Sequence, residues 1–104
     1  MSKIEKLTQA GGKEWISGAM HRVYFDYDVV NKLAGYKVAY KSNGSLIFCY
    51  GPDGAAMSKS AAYRVLADET SKFYYDVTTG QFGGRGMHES TINAAAAALA
   101  EIVA

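Results

Sequence analysis

Cysteine, proline and long apolar runs are nearly absent from this 104-residue chain. Its one cysteine, Cys49, can form neither an intramolecular disulfide nor a zinc site made of several thiolates. No stretch approaches the roughly 18 consecutive apolar residues of a membrane-spanning helix. The N-terminus also lacks the apolar segment of a signal peptide, since it reads MSKIEKLTQAGGKEW. These absences predict a cytoplasmic protein that does not contact a membrane.

An excess of charge of one sign is also missing. The formal net charge is +1, which gives no overall attraction to nucleic acid or to an anionic membrane, although a local patch could still provide one. The residues are 49% hydrophobic and 20% charged, a balance that excludes a disordered chain. At this length we expect a single compact domain, residues 1–104, with a core of its own.

The strongest local signal is a hairpin over residues 36–50, where Asn43-Gly44 separates two alternating apolar runs. This dipeptide favours a two-residue type I′ turn, which places Tyr40 opposite Ile47. Because side chains alternate between the faces of a strand, the register divides the hairpin into two sides. The predicted core side carries Tyr36, Val38, Tyr40, Ile47 and Cys49, and the predicted outer side carries Lys37, Ala39, Lys41, Leu46, Phe48 and Tyr50.

The remaining segments predict an α+β protein. A first hairpin is expected from strands 3–8 and 13–16. Asp28 and Ser58 are suitable N-caps for two helices, and Gly35 is suited to end the first of them. Further strands are expected at 20–25 and 72–78, with a short return strand starting at 81–82, and helices at about 29–34, 59–68 and 87–103. The result is a mostly antiparallel sheet of about 4–6 strands, centred on the 36–50 hairpin, with helices on one face.

The last predicted helix is rich in alanine on both sides. A core-facing stripe recurs at helical spacing through Ile92, Ala95, Ala96, Leu99, Ile102 and Val103. The opposite side carries Ala94, Ala97, Ala98, Ala100 and Ala104 where a solvated helix normally carries Lys and Glu. This side is either an ordinary alanine-rich surface or the interface of a homodimer.

No pattern of residues predicts catalysis. His88-Glu89 lacks the second histidine of a metalloprotease motif, and a site that joins His21 to His88 would depend on tertiary structure. Asp26 and Asp28 are explained by a strand end and a helix cap, and Cys49 by an inward position in a strand. Serine-nucleophile motifs are missing as well. We therefore predict a protein that is not an enzyme and that holds no metal and no cofactor.

A candidate anion site precedes the last predicted helix. Its residues are Gly84, Arg85, Gly86 and His88. Small residues let backbone N–H groups converge, the start of a helix carries partial positive charge, and Arg85 could bind a phosphate or carboxylate through two donors. Neither nucleotide-binding glycine motif is present, so the alternative is a plain connection between strand and helix.

Surface recognition is the function that the sequence favours. Lysine and aromatic rings share the outer side of the hairpin, and the strand at 20–25 would extend that face if it were adjacent. The candidate binding residues are Arg22, Tyr24, Lys37, Lys41, Phe48 and Tyr50. Rings beside cations suit a protein partner, and they also suit single-stranded nucleic acid. A third interpretation is a structural face that another element covers.

Taken together, these residues predict a small non-enzymatic protein that blocks or bridges a protein partner. A nucleic-acid-binding module is the first alternative, and a small-anion-binding protein or an enzyme with a site at 83–88 is the second. In its size and its compact, Tyr- and Gly-rich design, the chain resembles in character the small inhibitors encoded by phages and other mobile elements. No motif carries this comparison, and it assigns no residue a role.

Overall fold

A computed structural model describes residues 1–104 and confirms the α+β class. Four helices alternate with three pairs of strands along the chain. No helix is long and apolar enough to cross a membrane. In chain order the elements are α1 Lys3–Gln9, β1 Lys13–Ser17, β2 Met20–Tyr24, α2 Tyr27–Leu33, β3 Lys37–Tyr40, β4 Leu46–Tyr50, α3 Lys59–Val65, β5 Lys72–Asp76, β6 Gln81–Arg85 and α4 Glu89–Val103.

The main sheet has four antiparallel strands in the order β1-β2-β5-β6. Helices α1, α2 and α4 pack on one of its faces, where Leu7, Val30 and Leu99 are buried against the sheet residues Val23 and Phe73. Burial of such side chains stabilises the fold by about 1.5–3 kcal/mol each. The opposite face carries no helix, so the expected arrangement of one covered face and one open face is confirmed.

The 36–50 hairpin forms a sheet of its own, β3-β4, and is not the centre of the main sheet. It packs on α3 around a second, smaller core that contains Leu46, Cys49 and Ala62. A buried asparagine, Asn31 of α2, binds the segment that follows α3. Its amide donates to the carbonyl of Ala67 at 3.0 Å and accepts from the Ala67 N–H at 2.9 Å. Both polar groups of the buried asparagine are thereby satisfied.

The predicted strand at 3–8 is wrong, because this segment is helix α1. Ser2 and Glu5 form a capping box, in which the Ser2 hydroxyl accepts from the Glu5 N–H at 3.1 Å and the Glu5 carboxylate accepts from the Ser2 N–H at 3.2 Å. Helical spacing also places Ile4 and Leu7 on one side, whereas a strand would separate them. The second half of that predicted hairpin is confirmed as β1.

The type I′ turn is also wrong. Asn43 does not have positive φ; only Gly44 does, at 87°. The hydrogen bond from the Lys41 N–H to the Ser45 carbonyl (2.7 Å) closes a three-residue loop, in which a left-handed glycine follows a type I turn. The register Val38↔Cys49 is as predicted, but a bulge then pairs Tyr40 with Leu46.

The bulge reverses the sides of two residues. Leu46, predicted on the outer side, is only 1% exposed, while Ile47, predicted in the core, is 51% exposed. Tyr40 is exposed as well, whereas Cys49 is buried as predicted. The register therefore holds at the base of the hairpin and changes near its turn.

The helices differ from prediction mainly at their ends. Helix α2 starts two residues early, so that Asp26 and not Asp28 is its N-cap, and Gly35 follows its end with φ of 98° as expected. Helix α3 is capped by Ser58 as predicted but ends at Val65. In α4, Ala95 and Leu99 are buried as predicted, whereas Ile102 is exposed. Ala97 and Ala100 on its other side are also exposed, and a homodimer through them stays a prediction.

Candidate functional site

The open face of the main sheet collects every second residue of its four strands. Antiparallel pairing places Trp15 opposite Arg22, Arg22 opposite Asp76, and Tyr24 opposite Tyr74. Because opposed side chains point to the same face, β1, β2, β5 and β6 contribute to one surface. This open face consists of Lys13, Trp15, Ser17, Met20, Arg22, Tyr24, Lys72, Tyr74, Asp76, Gln81, Gly83 and Arg85.

Three aromatic rings form a row across β1, β2 and β5. The rings of Trp15 and Tyr24 meet edge to face with centroids 5.9 Å apart, and those of Tyr24 and Tyr74 lie 5.6 Å apart at 54°. Such geometries are favourable for aromatic pairs. Trp15 remains 43% exposed, while the two tyrosines are half-buried. The row therefore offers apolar ring surface to the solvent.

Glycine at position 83 lets the Tyr74 ring lie across the neighbouring strand. The two residues are directly opposite each other on β5 and β6. A Cβ atom on Gly83 would stand 2.6 Å from the Tyr74 hydroxyl oxygen, which is closer than real contacts allow. Any other residue at 83 would lift the ring away from the sheet. Gly83 thus belongs to the site, whereas the sequence predicts it in the connection before the last helix.

Arg22 is held against Tyr74 by three contacts. Its guanidinium carbon lies 4.0 Å from the Tyr74 ring centroid, its Nε donates to Asp76 Oδ2 at 3.2 Å, and its Nη1 donates to the Tyr24 hydroxyl at 3.2 Å. The hydrogen bond to Tyr24 raises the pKa of Arg22 above its ordinary value; partial burial opposes this shift and the bond to Asp76 adds to it. The guanidinium is therefore a fixed, charged plane with further donors free.

The carboxylate of Asp76 is fixed as well. Its Oδ1 accepts from the backbone N–H of Thr79 at 3.0 Å and of Thr78 at 2.9 Å, while Oδ2 binds Arg22. The N–H of Thr79 lowers the pKa of Asp76; partial burial opposes the shift, while Arg22 and the N–H of Thr78 lower the pKa further. Asp76 therefore remains ionised and holds Arg22 in place.

Cations outnumber free carboxylates around the rings. Lys13, Lys72 and Arg85 lie on the open face with Arg22, and they are all exposed except Arg22, which is half-buried. Asp76 is occupied by Arg22, and Asp26 at the edge pairs with Lys13 at 3.4 Å. A depression of about 470 Å³ runs between the three rings, Arg22, Lys72 and Arg85. The surface can therefore stack planar groups and neutralise anionic groups beside them.

The predicted binding residues do not form one surface. Arg22 and Tyr24 lie on the open face, but β2 pairs with β1 and β5, not with the hairpin. The other four predicted residues lie on β3, β4 and their loop: Lys37, Lys41, Phe48 and Tyr50. Phe48 and Tyr50 are 44% and 41% exposed, and their ring centroids are 5.4 Å apart. The expected face is thus divided between two sheets.

The segment 83–88, where an anion cradle is predicted, is not a loop throughout, because its first half belongs to a strand. Gly84 and Arg85 belong to β6, and Gly84 packs toward Ile92 of α4. Gly86 follows with φ of 78°, and His88 is the N-cap of α4, where its Nδ1 accepts from the Ser90 N–H at 3.1 Å. The N-terminus of α4 is thus capped by the side chain of His88. Arg85 instead belongs to the open face.

The two histidines contact neighbouring groups, and the cysteine is buried. His21 Nε2 lies 2.6 Å from a Glu14 carboxylate oxygen, and His88 caps α4. No group of three or more His, Cys, Asp or Glu residues is placed to hold a metal ion. Burial raises the pKa of the Cys49 thiol, which disfavours the reactive thiolate. These side chains therefore have structural explanations.

Trp15, Lys72 and Tyr74 are among the members of the site that are not predicted from the sequence. A usable signal was present in β1, where Lys13 and Trp15 alternate with Glu14 and Ile16, and in β5, where Lys72 and Tyr74 alternate with Phe73 and Tyr75. Alternation assigns each residue to a face of its own strand. It does not tell which strands are neighbours.

Comparison with models of protein families, with curated proteins and with solved structures finds no match to this chain.

Proposed function

We propose that this protein is a non-enzymatic binder that holds single-stranded nucleic acid on the open face of its main sheet. The observation that carries the proposal is the row of rings formed by Trp15, Tyr24 and Tyr74, with the Arg22 guanidinium stacked on the last of them. An exposed four-stranded sheet with rings on adjacent strands is a known way to stack two or three unpaired bases.

The chemistry of the row suits unpaired bases. Every base has a flat π-face, so stacking on an aromatic ring tolerates many sequences and contributes about 1–3 kcal/mol per base. The Arg22 guanidinium is a second kind of flat surface for a base, and it is already held by Asp76 and Tyr24. A duplex keeps its bases stacked on each other, and we therefore expect the site to favour single strands.

Attraction to the phosphates is local, because the chain as a whole carries a net charge of only +1. Lys72 and Arg85 face each other on β5 and β6 and have no carboxylate within ion-pair distance. They flank the Tyr74 end of the row, so a strand whose bases stack on the rings would pass its phosphates beside them. Release of counterions from those phosphates makes such binding dependent on salt.

Removal of these two cations provides the test of the proposed function. We expect the variant Lys72→Ala/Arg85→Ala to bind fluorescent oligouridylate more weakly and to show a lower salt dependence. The slope of log Kd against log salt concentration should fall by about 1.4, because each cation that neutralises a phosphate of a single strand accounts for about 0.7. Fluorescence anisotropy at several salt concentrations measures both quantities.

The control is the variant Lys37→Ala/Lys41→Ala, which removes the same charge from the hairpin. Its salt dependence should match that of the unchanged protein, because both lysines lie outside the open face. If the hairpin variant lowers the slope and the Lys72/Arg85 variant does not, the nucleic acid binds at the hairpin and the proposed site on the open face is contradicted.

A protein partner at the hairpin is a second proposed function, supported by the adjacent exposed rings of Phe48 and Tyr50. Aromatic residues are enriched among those that dominate protein interfaces. With the photoreactive residue p-benzoylphenylalanine at position 48, we expect one covalent adduct of defined mass in extracts of the source cells. The same residue at position 15 is the control and should not give that adduct. Failure of excess untagged protein to compete the adduct away would contradict specific binding.

A further inference from the structure

The two edges of the hairpin sheet differ. On the β4 side the backbone is already covered: the Tyr63 hydroxyl accepts from the Leu46 N–H at 3.0 Å, and the Met57 N–H donates to the Cys49 carbonyl at 2.9 Å. A bridge between Tyr50 and Ala56 continues this cover. Strand β3 has β4 as its only neighbour, and no loop or helix pairs with its other edge. Its outward N–H and C=O groups are available to a further strand.

A groove lies between the hairpin and α2, and residues of β3 line it. Its volume is about 640 Å³, larger than the depression on the main sheet. Apolar and aromatic side chains, among them Tyr36, Val38 and Tyr50, line one part, and Asn31 and Lys32 of α2 line another. The β1 edge of the main sheet differs, because all five residues of β1 are exposed. The β3 edge therefore combines free backbone groups with a shaped apolar surface.

We infer that an extended segment of a protein partner binds in this groove as an added strand of the hairpin sheet, paired with β3. The inference rests on the second proposed function, protein binding at the hairpin, and specifies how the partner binds. Main-chain hydrogen bonds to the open edge supply affinity in this mode of recognition. Alternate side chains of the segment face the rings, because a strand directs successive side chains to opposite sides.

Charge indicates the composition of the segment. Lys32 and Lys37 line the groove and have no carboxylate within ion-pair distance, and Asp28 is the one acidic residue beside them. The excess of positive charge favours acidic residues in the partner, mainly through faster and more selective association. The segment is therefore an extended peptide that combines aromatic or aliphatic residues with aspartate or glutamate.

Selection of random short peptides displayed on phage tests this inference. Peptides that contain acidic and apolar residues should be enriched on the unchanged protein. The variant Lys32→Glu/Lys37→Glu should bind them about tenfold more weakly or worse, because the charges at the groove are reversed. The matched control Lys59→Glu/Arg64→Glu makes the same change of charge on α3, outside the groove, and should bind them as the unchanged protein does.

Backbone methylation separates strand pairing from simple ring contacts. Methyl groups on the N–H of alternate peptide residues should reduce affinity about tenfold or more in one of the two alternating patterns and little in the other, since alternate residues pair with the same edge. Equal sensitivity, or none, overturns pairing with β3 but leaves protein binding at Phe48 intact. If no peptide is enriched, the inference is overturned, while the photo-crosslink at position 48 still decides the proposed function.

Discussion

Replacement of Tyr74 by alanine is expected to weaken binding of oligouridylate by roughly 5- to 150-fold, which corresponds to about 1–3 kcal/mol for one stacked base. The loss has two causes. The ring itself disappears from the row, and Arg22 loses the surface that its guanidinium covers at 4.0 Å. Fluorescence anisotropy with a labelled oligonucleotide measures the change, and thermal unfolding shows whether the variant is folded.

Two further variants make this result specific. Tyr74→Phe should bind nearly as well as the unchanged protein, because stacking requires the ring and not the hydroxyl. Phe48→Ala removes an exposed ring from the other sheet and should leave affinity for the oligonucleotide unchanged. Equal losses from Tyr74→Ala and Phe48→Ala would show that the row of rings is not the binding site.

The second large effect concerns the hairpin core. Leu46→Ala should lower the free energy of unfolding by about 2–5 kcal/mol, because Leu46 is buried beside Ala62 and Leu66 and its loss leaves a cavity. Ile47→Ala, one residue further along, should change the free energy of unfolding by about 0.5 kcal/mol or less, since Ile47 lies at the surface and is 51% exposed. Urea denaturation of both variants measures the difference.

The pair also tests the register of the hairpin. With a two-residue type I′ turn, Ile47 would be in the core and Leu46 outside, and the two costs would be reversed. The bulge observed between Ala39 and Tyr40 predicts the opposite order. A larger loss from Ile47→Ala than from Leu46→Ala would contradict the described packing.

The hairpin illustrates where sequence reasoning reached its limit. Asn43-Gly44 correctly predicted a turn with a left-handed glycine, but this dipeptide fits both a two-residue loop and a three-residue loop with a bulge. The choice between these two loops depends on which hairpin residue packs against α3. Leu46 does so by contact with Ala62, which is about 16 residues away in sequence. Local patterns do not contain that information.

Local signals were sufficient where the cause is local. The Ser58 hydroxyl caps α3, and Gly35, which lacks a Cβ atom, follows α2 with positive φ, both as predicted. The capping box of Ser2 and Glu5 is a local signal of the same kind, and it favours the helix over the strand predicted at 3–8. These elements depend on neighbours within four residues.

The candidate site depends on distant neighbours. Arg22 and Tyr24 were identified from one strand, but Tyr74 joins them only because β5 pairs with β2 across about 50 residues of chain. Pairing between distant strands is set by the packing of the whole domain, and alternation within each strand leaves it open. Gly83 leaves room for the Tyr74 ring, and this role can be inferred only when β6 is known to pair with the strand of Tyr74.

A comparison of single-stranded and duplex oligonucleotides of the same sequence, in the same salt, tests the central claim most directly. We predict that the unchanged protein binds the single strand more tightly, because only unpaired bases can stack on Trp15, on Tyr24 and on the Arg22 guanidinium that lies over Tyr74. Anisotropy of each labelled oligonucleotide gives the two dissociation constants. Equal affinity for both forms, tighter binding of the duplex, or no binding of the single strand would contradict the proposed function.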